Sequence, residues 1–203
     1  MSAGKMIVVG GLLLAGLGTA SAEPAPAALT LDRAKAAVAA TLDLIPSDDI
    51  QYDYRPLVVR LADIDGRGTR GVVYVYTATN TGSTFEQTNN LVVMSALAPD
   101  DRRGRSAYPG SSSLDDATYA VIREMGYADD ATDHIPGQFK RLEVVDGQIR
   151  VTFDSQAKST LCHAEDRARY DQEPCPAPGR HTWTWRWSPG TLTRTEPPGP
   201  GAH

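Results

Sequence analysis

Asp146-Gly147 sits between two runs that alternate apolar and polar residues, Leu142 to Val145 before it and Gln148 to Phe153 after it. A two-residue hairpin turn of this kind needs positive φ at both central positions, which Asp-Gly tolerates. The turn sets the register. Val144 stands opposite Ile149 and Leu142 opposite Val151, and these share a face with Phe153; Glu143, Gln148, Arg150 and Thr152 share the other. A ribbon with one apolar and one polar face belongs to a sheet packed on one side.

Period-two segments recur elsewhere. Leu57, Val59 and Leu61 alternate with Val58, Arg60 and Ala62, and Gly71 to Thr77 repeats the pattern after a polar turn, so a second hairpin is predicted. Leu91 to Leu97 is apolar on both faces and reads as a central strand. A last hairpin spans Thr182 to Arg194 around Ser188-Pro189-Gly190. Helical spacing appears in Leu29 to Leu44, where Thr30 or Asp32 can cap the start, Leu31, Ala34, Val38, Thr41, Leu42 and Ile45 share a face, and Pro46 ends the helix. A second helix is predicted over Leu114 to Met125, capped by Ser113 and stopped by Gly126. Asn80 to Asn90, Pro99 to Ser113 and Tyr127 to Gly137 read as loops. The expected fold is one α+β domain over residues 23–195, a mostly antiparallel β-sheet of about seven strands with two short helices.

The ends of the chain read differently. Lys5, the apolar run Met6 to Leu17 and Ala20-Ser21-Ala22 have the order of a secretory signal peptide, giving a mature start at Glu23. The run is shorter than the roughly 20 residues a spanning helix needs, so no membrane span is expected after cleavage. Residues 23–28 form a loose Pro/Ala leader and residues 196–203 a Pro/Gly-rich disordered tail. Export favours a disulfide between the two cysteines, Cys162 and Cys175. It would staple a loop and contribute about 3 kcal/mol in the chain-entropy model. The rival readings are a zinc site with His163 and His181, whose spacing matches no tight C-x-x-C pattern, and a Cys162–His163 nucleophile, whose neighbours point to opposite faces in an extended chain. The net charge of −5 disfavours nucleic acid as a partner. The basic run Arg102-Arg103-Gly104-Arg105 follows Asp100-Asp101 and reads as a solvated loop.

The turn Asp63-x-Asp65-Gly66-x-Gly68 resembles the D-x-[DN]-G-D-G-x-x-D loop of calcium-binding FG-GAP and dockerin-type repeats. In those families carboxylates at positions one, three, five and nine surround a cation that takes six to eight oxygens. Asp63 and Asp65 match the first two; Arg67 and Gly71 stand where the others belong. The resemblance therefore implies a degenerate loop with Asp63 and Asp65 as weak metal candidates, and no metal or other cofactor is expected. The alternative is a tight turn whose Asp side chains accept from neighbouring backbone N–H groups. The wider order of elements, roughly residues 55–195, is similar to a group of small exported bacterial proteins with a D-x-[DN]-G-x-G turn before a Val-rich strand. That likeness implies export and a sheet-based fold, with no particular activity.

Trp183, Trp185 and Trp187 alternate and so project from one face of a strand. Exposed, they would form a platform for sugar rings or a partner protein, with Arg194 at its rim; buried, they are core. Nucleophile elbows, H-x-x-x-H pairs and phosphate loops are absent from the sequence. The functional expectation is a non-catalytic exported binding or interaction module for a protein or glycan ligand. Its expected surface is the Asn80–Asn90 region together with the tryptophan hairpin. The alternative is a hydrolase acting on cell-wall or sugar substrates through two carboxylates about 5–10 Å apart.

Overall fold

Thr30 starts the helix α1 (Leu31–Asp43): its hydroxyl accepts from the Arg33 N–H at 3.3 Å and its carbonyl from the Ala34 N–H at 2.9 Å. The computed structural model that contains it describes residues 29–43, 52–80, 87–98, 124–156, 159–162 and 175–195. The signal-peptide segment, the leader, the arginine run, His163, the tail and nearly all of the expected second helix lie outside these residues.

The rest is antiparallel sheet. Strands β1 (Tyr52–Asp63), β2 (Arg70–Asn80), β3 (Gln87–Ala96) and β4 (Tyr127–His134) form one four-stranded meander. Strands β5 (Gln138–Val145), β6 (Gln148–Ser155), β7 (Gly179–Ser188) and β8 (Thr191–Arg194) form a second. The α+β, mostly antiparallel expectation holds in this coarse form. Among the described residues the strands number eight in two sheets, where about seven in one were expected.

Three layers result. Ala34, Ala37, Val38 and Leu42 of α1 pack on Val59, Val72, Tyr74, Val92 and Met94 of the first sheet. Leu31, expected on that face, points largely outward. The other face of the same sheet carries Val73, Val75, Leu91 and Val93, which meet Leu142, Ile149, Val151, Phe153, Trp183 and Trp185 of the second. The first sheet is covered on both faces and the second on one. β2 and β3 accordingly read as unbroken apolar runs, and β6 as an alternation.

The extra strand is β4, in the stretch expected as a loop. Its sequence, Tyr-Ala-Asp-Asp-Ala-Thr-Asp-His, is poor in strand-forming residues. Tertiary partners override that preference. A bulge opposes Ala131 and Asp129 to the consecutive Val93 and Met94, leaving Asp130 as the extra residue. Asp133 and Ala131 therefore share the inter-sheet face with Leu91 and Val93, while Asp129 turns with Met94 toward α1. All three aspartates find donors there. β1 also begins earlier than expected, and its Pro56 is tolerated because β1 is an edge strand. Leu57, expected in line with Val59 and Leu61, lies at a bulge and is exposed.

Asp146 and Gly147 adopt φ of 50° and 69°, and the hairpin pairs Val144 with Ile149 and Leu142 with Val151 as expected. This turn lies against the β1–β2 turn. A Cβ on Gly147 would run into the backbone of Asp65 and Gly66, and one on Gly66 would sit 2.9 Å from the Asp146 carbonyl oxygen. Two glycine turns thus seal one end of the sandwich by backbone contact.

Candidate functional site

The tryptophan stripe does not form a platform. The face of β7 that bears it looks into the sandwich, and the opposite face carries Thr182, Thr184 and Arg186. Trp185 is 0% exposed and donates from Nε1 to Asp133 Oδ2 at 2.7 Å. Trp183 is 9% exposed and packs edge-on to Phe153, with ring centroids 5.0 Å apart. Half-buried Trp187 donates from Nε1 to Asp130 Oδ2 at 2.8 Å, and the Gly190 N–H shares that oxygen at 2.9 Å. Arg194 pairs with Trp185 in the ladder, but its guanidinium lies 4.2 Å above the Trp183 ring. The four residues are the closed rim of a core, because β8 and the aspartates of β4 cover the indoles. Trp183 and Trp185 are thus packed inside rather than open as a platform, and Trp187 and Arg194 are half-buried at the edge.

Asp63 and Asp65 fold their turn around themselves. Asp63 Oδ1 accepts from the N–H groups of Asp65 (3.3 Å) and Gly66 (2.8 Å), and Oδ2 from Gly68 (2.9 Å). Asp65 Oδ1 accepts from the N–H of Arg67 (2.8 Å) and Thr69 (3.2 Å), and Oδ2 from the Thr69 hydroxyl (2.7 Å). Those donors, the Thr69 hydroxyl first, hold the Asp65 carboxyl down to about 2. All four carboxylate oxygens accept from loop donors, as the tight-turn alternative expects. Among the described residues no three His, Cys, Asp or Glu side chains gather at a point that could hold a metal.

Cys162 and Cys175 are bonded to each other, with Cα atoms 5.8 Å apart. The bridge suggests an oxidising, extracytoplasmic environment. It ends the single 3₁₀ turn Thr160–Cys162, which packs on β3. His134 fastens the same turn by donating from Nε2 to the Leu161 carbonyl at 2.6 Å.

This clasp forms one wall of an open cleft of about 440 Å³, at the end of the sandwich away from the glycine turns. The cleft arises where the inter-sheet face of β3 changes character. Val93 and Leu91 are core, and the next residues on that face are Asn89 and Gln87. Phe139 meets them from the inner face of the second sheet, Gln138, Asp154 and Gln156 line the mouth at the end of that sheet, and Ser159, Leu161 and Leu57 lie around the edge. The cleft is rich in carboxamides that are half used. Gln87 spends its amide on Thr77 Oγ1 at 2.9 Å. Gln138 accepts from Lys140 Nζ at 2.8 Å. Asn89 donates to the Gly137 carbonyl at 2.8 Å, and its Oδ1 is buried with no partner among the described residues. The one carboxylate among the described lining residues, Asp154, is held below the ordinary range by the Arg180 hydrogen bond at 2.8 Å, with Lys140 adding to it. What remains to a ligand is a neutral set of donors and acceptors beside apolar surface.

Gln87 and Asn89 belong to the Asn80–Asn90 stretch, whose described residues lie in β2 and β3 rather than in a loop. Residues 81–86 lie outside the described residues. Gln138, Gln156 and Ser159 were not anticipated; single glutamines on separate elements carry no spacing signal. Compared with known proteins, the chain matches no family model, no curated protein and no solved structure.

Proposed function

We propose that this protein is a non-catalytic binding module exported to the periplasm or beyond, and that the amide-lined cleft holds a neutral carbohydrate. The disulfide and the leader-like first 22 residues support the compartment. The observation that carries the ligand class is the half-satisfied amide set around Asn89 Oδ1. A buried acceptor left unanswered costs about 1–3 kcal/mol, which a ligand hydroxyl entering the back of the cleft would recover. Sugars offer adjacent hydroxyls to carboxamides and C–H faces to side chains such as Phe139 and Leu161.

Titration of the mature protein with chito- and malto-oligosaccharides, followed by calorimetry, tests this. One series should bind, and Gln138→Ala and Gln156→Ala should each weaken it about fivefold, near the worth of one hydrogen bond. Failure of every neutral oligosaccharide to bind would overturn the proposal. Release of new reducing ends during the titration would replace it with the hydrolase alternative. That outcome needs a second carboxylate, and among the described cleft residues only Asp154 carries one.

A further inference from the structure

The end of the sandwich opposite the cleft carries a second concavity, a groove of about 560 Å³ between the β1–β2 turn and the β7–β8 hairpin. Arg67 and Arg186 line it, with Ser188, Thr193, Thr195 and half-buried Trp187. Both arginines are exposed, and neither guanidinium has a hydrogen bond or ion pair among the described residues. Asp65 also lines the groove, but both its oxygens are turned into its own loop. Arg67 is the residue that stands in place of a third loop carboxylate, so the turn offers a cation outward where a calcium loop would gather anions.

Arg186 also belongs to the solvent face of the second sheet. The ladder places Gln148, Arg186 and Thr193 side by side, Arg150 beside Glu143 and Thr184, and Asp154 beside Arg180. Lys140, Arg141, Arg150, Arg180 and Arg186 stand there against Glu143 and Asp154 alone, although the chain as a whole carries −5. Arg141 engages Glu143 at 2.6 Å and Arg180 engages Asp154 at 2.8 Å, which cancels both carboxylates and leaves the rest of the face positive.

We propose that this groove, with the basic face leading into it, binds an acidic polysaccharide whose carboxylates are held by Arg67 and Arg186. The guanidinium fork matches a carboxylate in two parallel hydrogen bonds. Threonine hydroxyls and the Gln148 amide interleave with the cations, which suits a chain bearing both hydroxyls and carboxylates. The described face offers no open aromatic plane for stacking bases. It offers only Val145 as an exposed large apolar side chain, too little to enter a bilayer. The groove shares no lining residue with the amide cleft and does not depend on that cleft's ligand.

The test uses the mature chain with polygalacturonate as probe, and dextran and oligothymidylate as comparators, at low and high salt. Polygalacturonate should bind, weaken as salt rises, and lose about tenfold in affinity in the Arg67→Ala/Arg186→Ala double variant. Arg67→Lys/Arg186→Lys keeps the charge without the fork and should lose less but measurably. Arg60→Ala, an exposed arginine of β1, should stay within about twofold. Near-ultraviolet circular dichroism of the buried tryptophans reports whether each variant is folded. Absence of polygalacturonate binding, an equal loss in Arg60→Ala, or equally tight oligothymidylate binding would each overturn the proposal.

Discussion

The first sheet and the second are both four-stranded antiparallel meanders, yet they are written in different alphabets. The first lies between α1 and the second sheet, so β2 and β3 have no free face. Val72 to Val75 and Leu91 to Met94 are buried without a break. Polar groups placed there must find partners inside. Tyr74 donates to both Asp129 oxygens at 3.0 and 3.1 Å, and Thr77 donates to the Thr88 carbonyl at 3.1 Å. The second sheet has one open face and fills it with arginine, threonine and glutamine. The doubly covered sheet holds its polar groups inside, and charged side chains accumulate on the sheet that keeps a face in water.

The largest test of this contrast is Trp185→Ala. Trp185 belongs to the open-faced sheet but fills the shared layer, so its loss should cost about 3–5 kcal/mol in urea unfolding. A change under about 1 kcal/mol would mean the sheets do not share a core at this point. Next comes Gly147→Ala. It introduces a Cβ at positive φ and against the backbone of Asp65 and Gly66, which should cost about 1–3 kcal/mol, whereas Gly190→Ala, also at positive φ but facing open space, should cost less. Equal effects would show that the two glycine turns are not in contact.

A smaller effect separates two carboxyls of the first sheet by pH. Burial raises the Asp129 carboxyl from its ordinary 3.8 to about 6, with the Tyr74 hydroxyl partly opposing. The folded chain then holds a proton that the unfolded chain releases, so this group's contribution falls as pH rises from about 4 to about 6. Asp65 has the opposite sign. Held down to about 2, it stabilises above the ordinary carboxylate range, and its contribution is lost as pH falls from about 4 toward 2. Thermal unfolding across this range should show Asp129→Asn flattening the neutral side and Asp65→Asn the acid side. Exchanged signs would contradict the placement of the two carboxyls. The smallest effect is Arg150→Ala on the open face, which should change stability by under about 0.5 kcal/mol.

Much of the second sheet is legible in sequence because alternation survives wherever one face meets water. The Asp146-Gly147 turn and the pairing of Trp187 with Leu192 and Trp185 with Arg194 follow from period two and turn chemistry alone. The first sheet yields less. Burial on both faces removes the alternation from β2 and β3, and β4 looks like a loop because its three aspartates are explained only by Tyr74, Trp187 and Trp185, far along the chain. The division into two sheets is hidden for a similar reason, since the Ile135-Pro136-Gly137 crossing is recognisable only by where it is buried. Gly137 shows this directly: a Cβ there would collide with Phe153 and the Asp154 carbonyl. Of the cleft, Gln87 and Asn89 lie in a stretch whose polarity is plain in sequence, whereas Gln138 and Gln156 join them only once the sheets are stacked.

The central claim is that the face of β7 carrying the three tryptophans is the inside of a two-sheet sandwich. Hydrogen exchange of the indole N–H groups, followed by NMR, measures it most directly. The Trp185 signal should persist far longer than that of a solvent-exposed indole, held by Asp133, and Trp187 should exchange faster than Trp185 but more slowly than a free indole. Rapid, indistinguishable exchange of all three would contradict the sandwich and return the stripe to the surface.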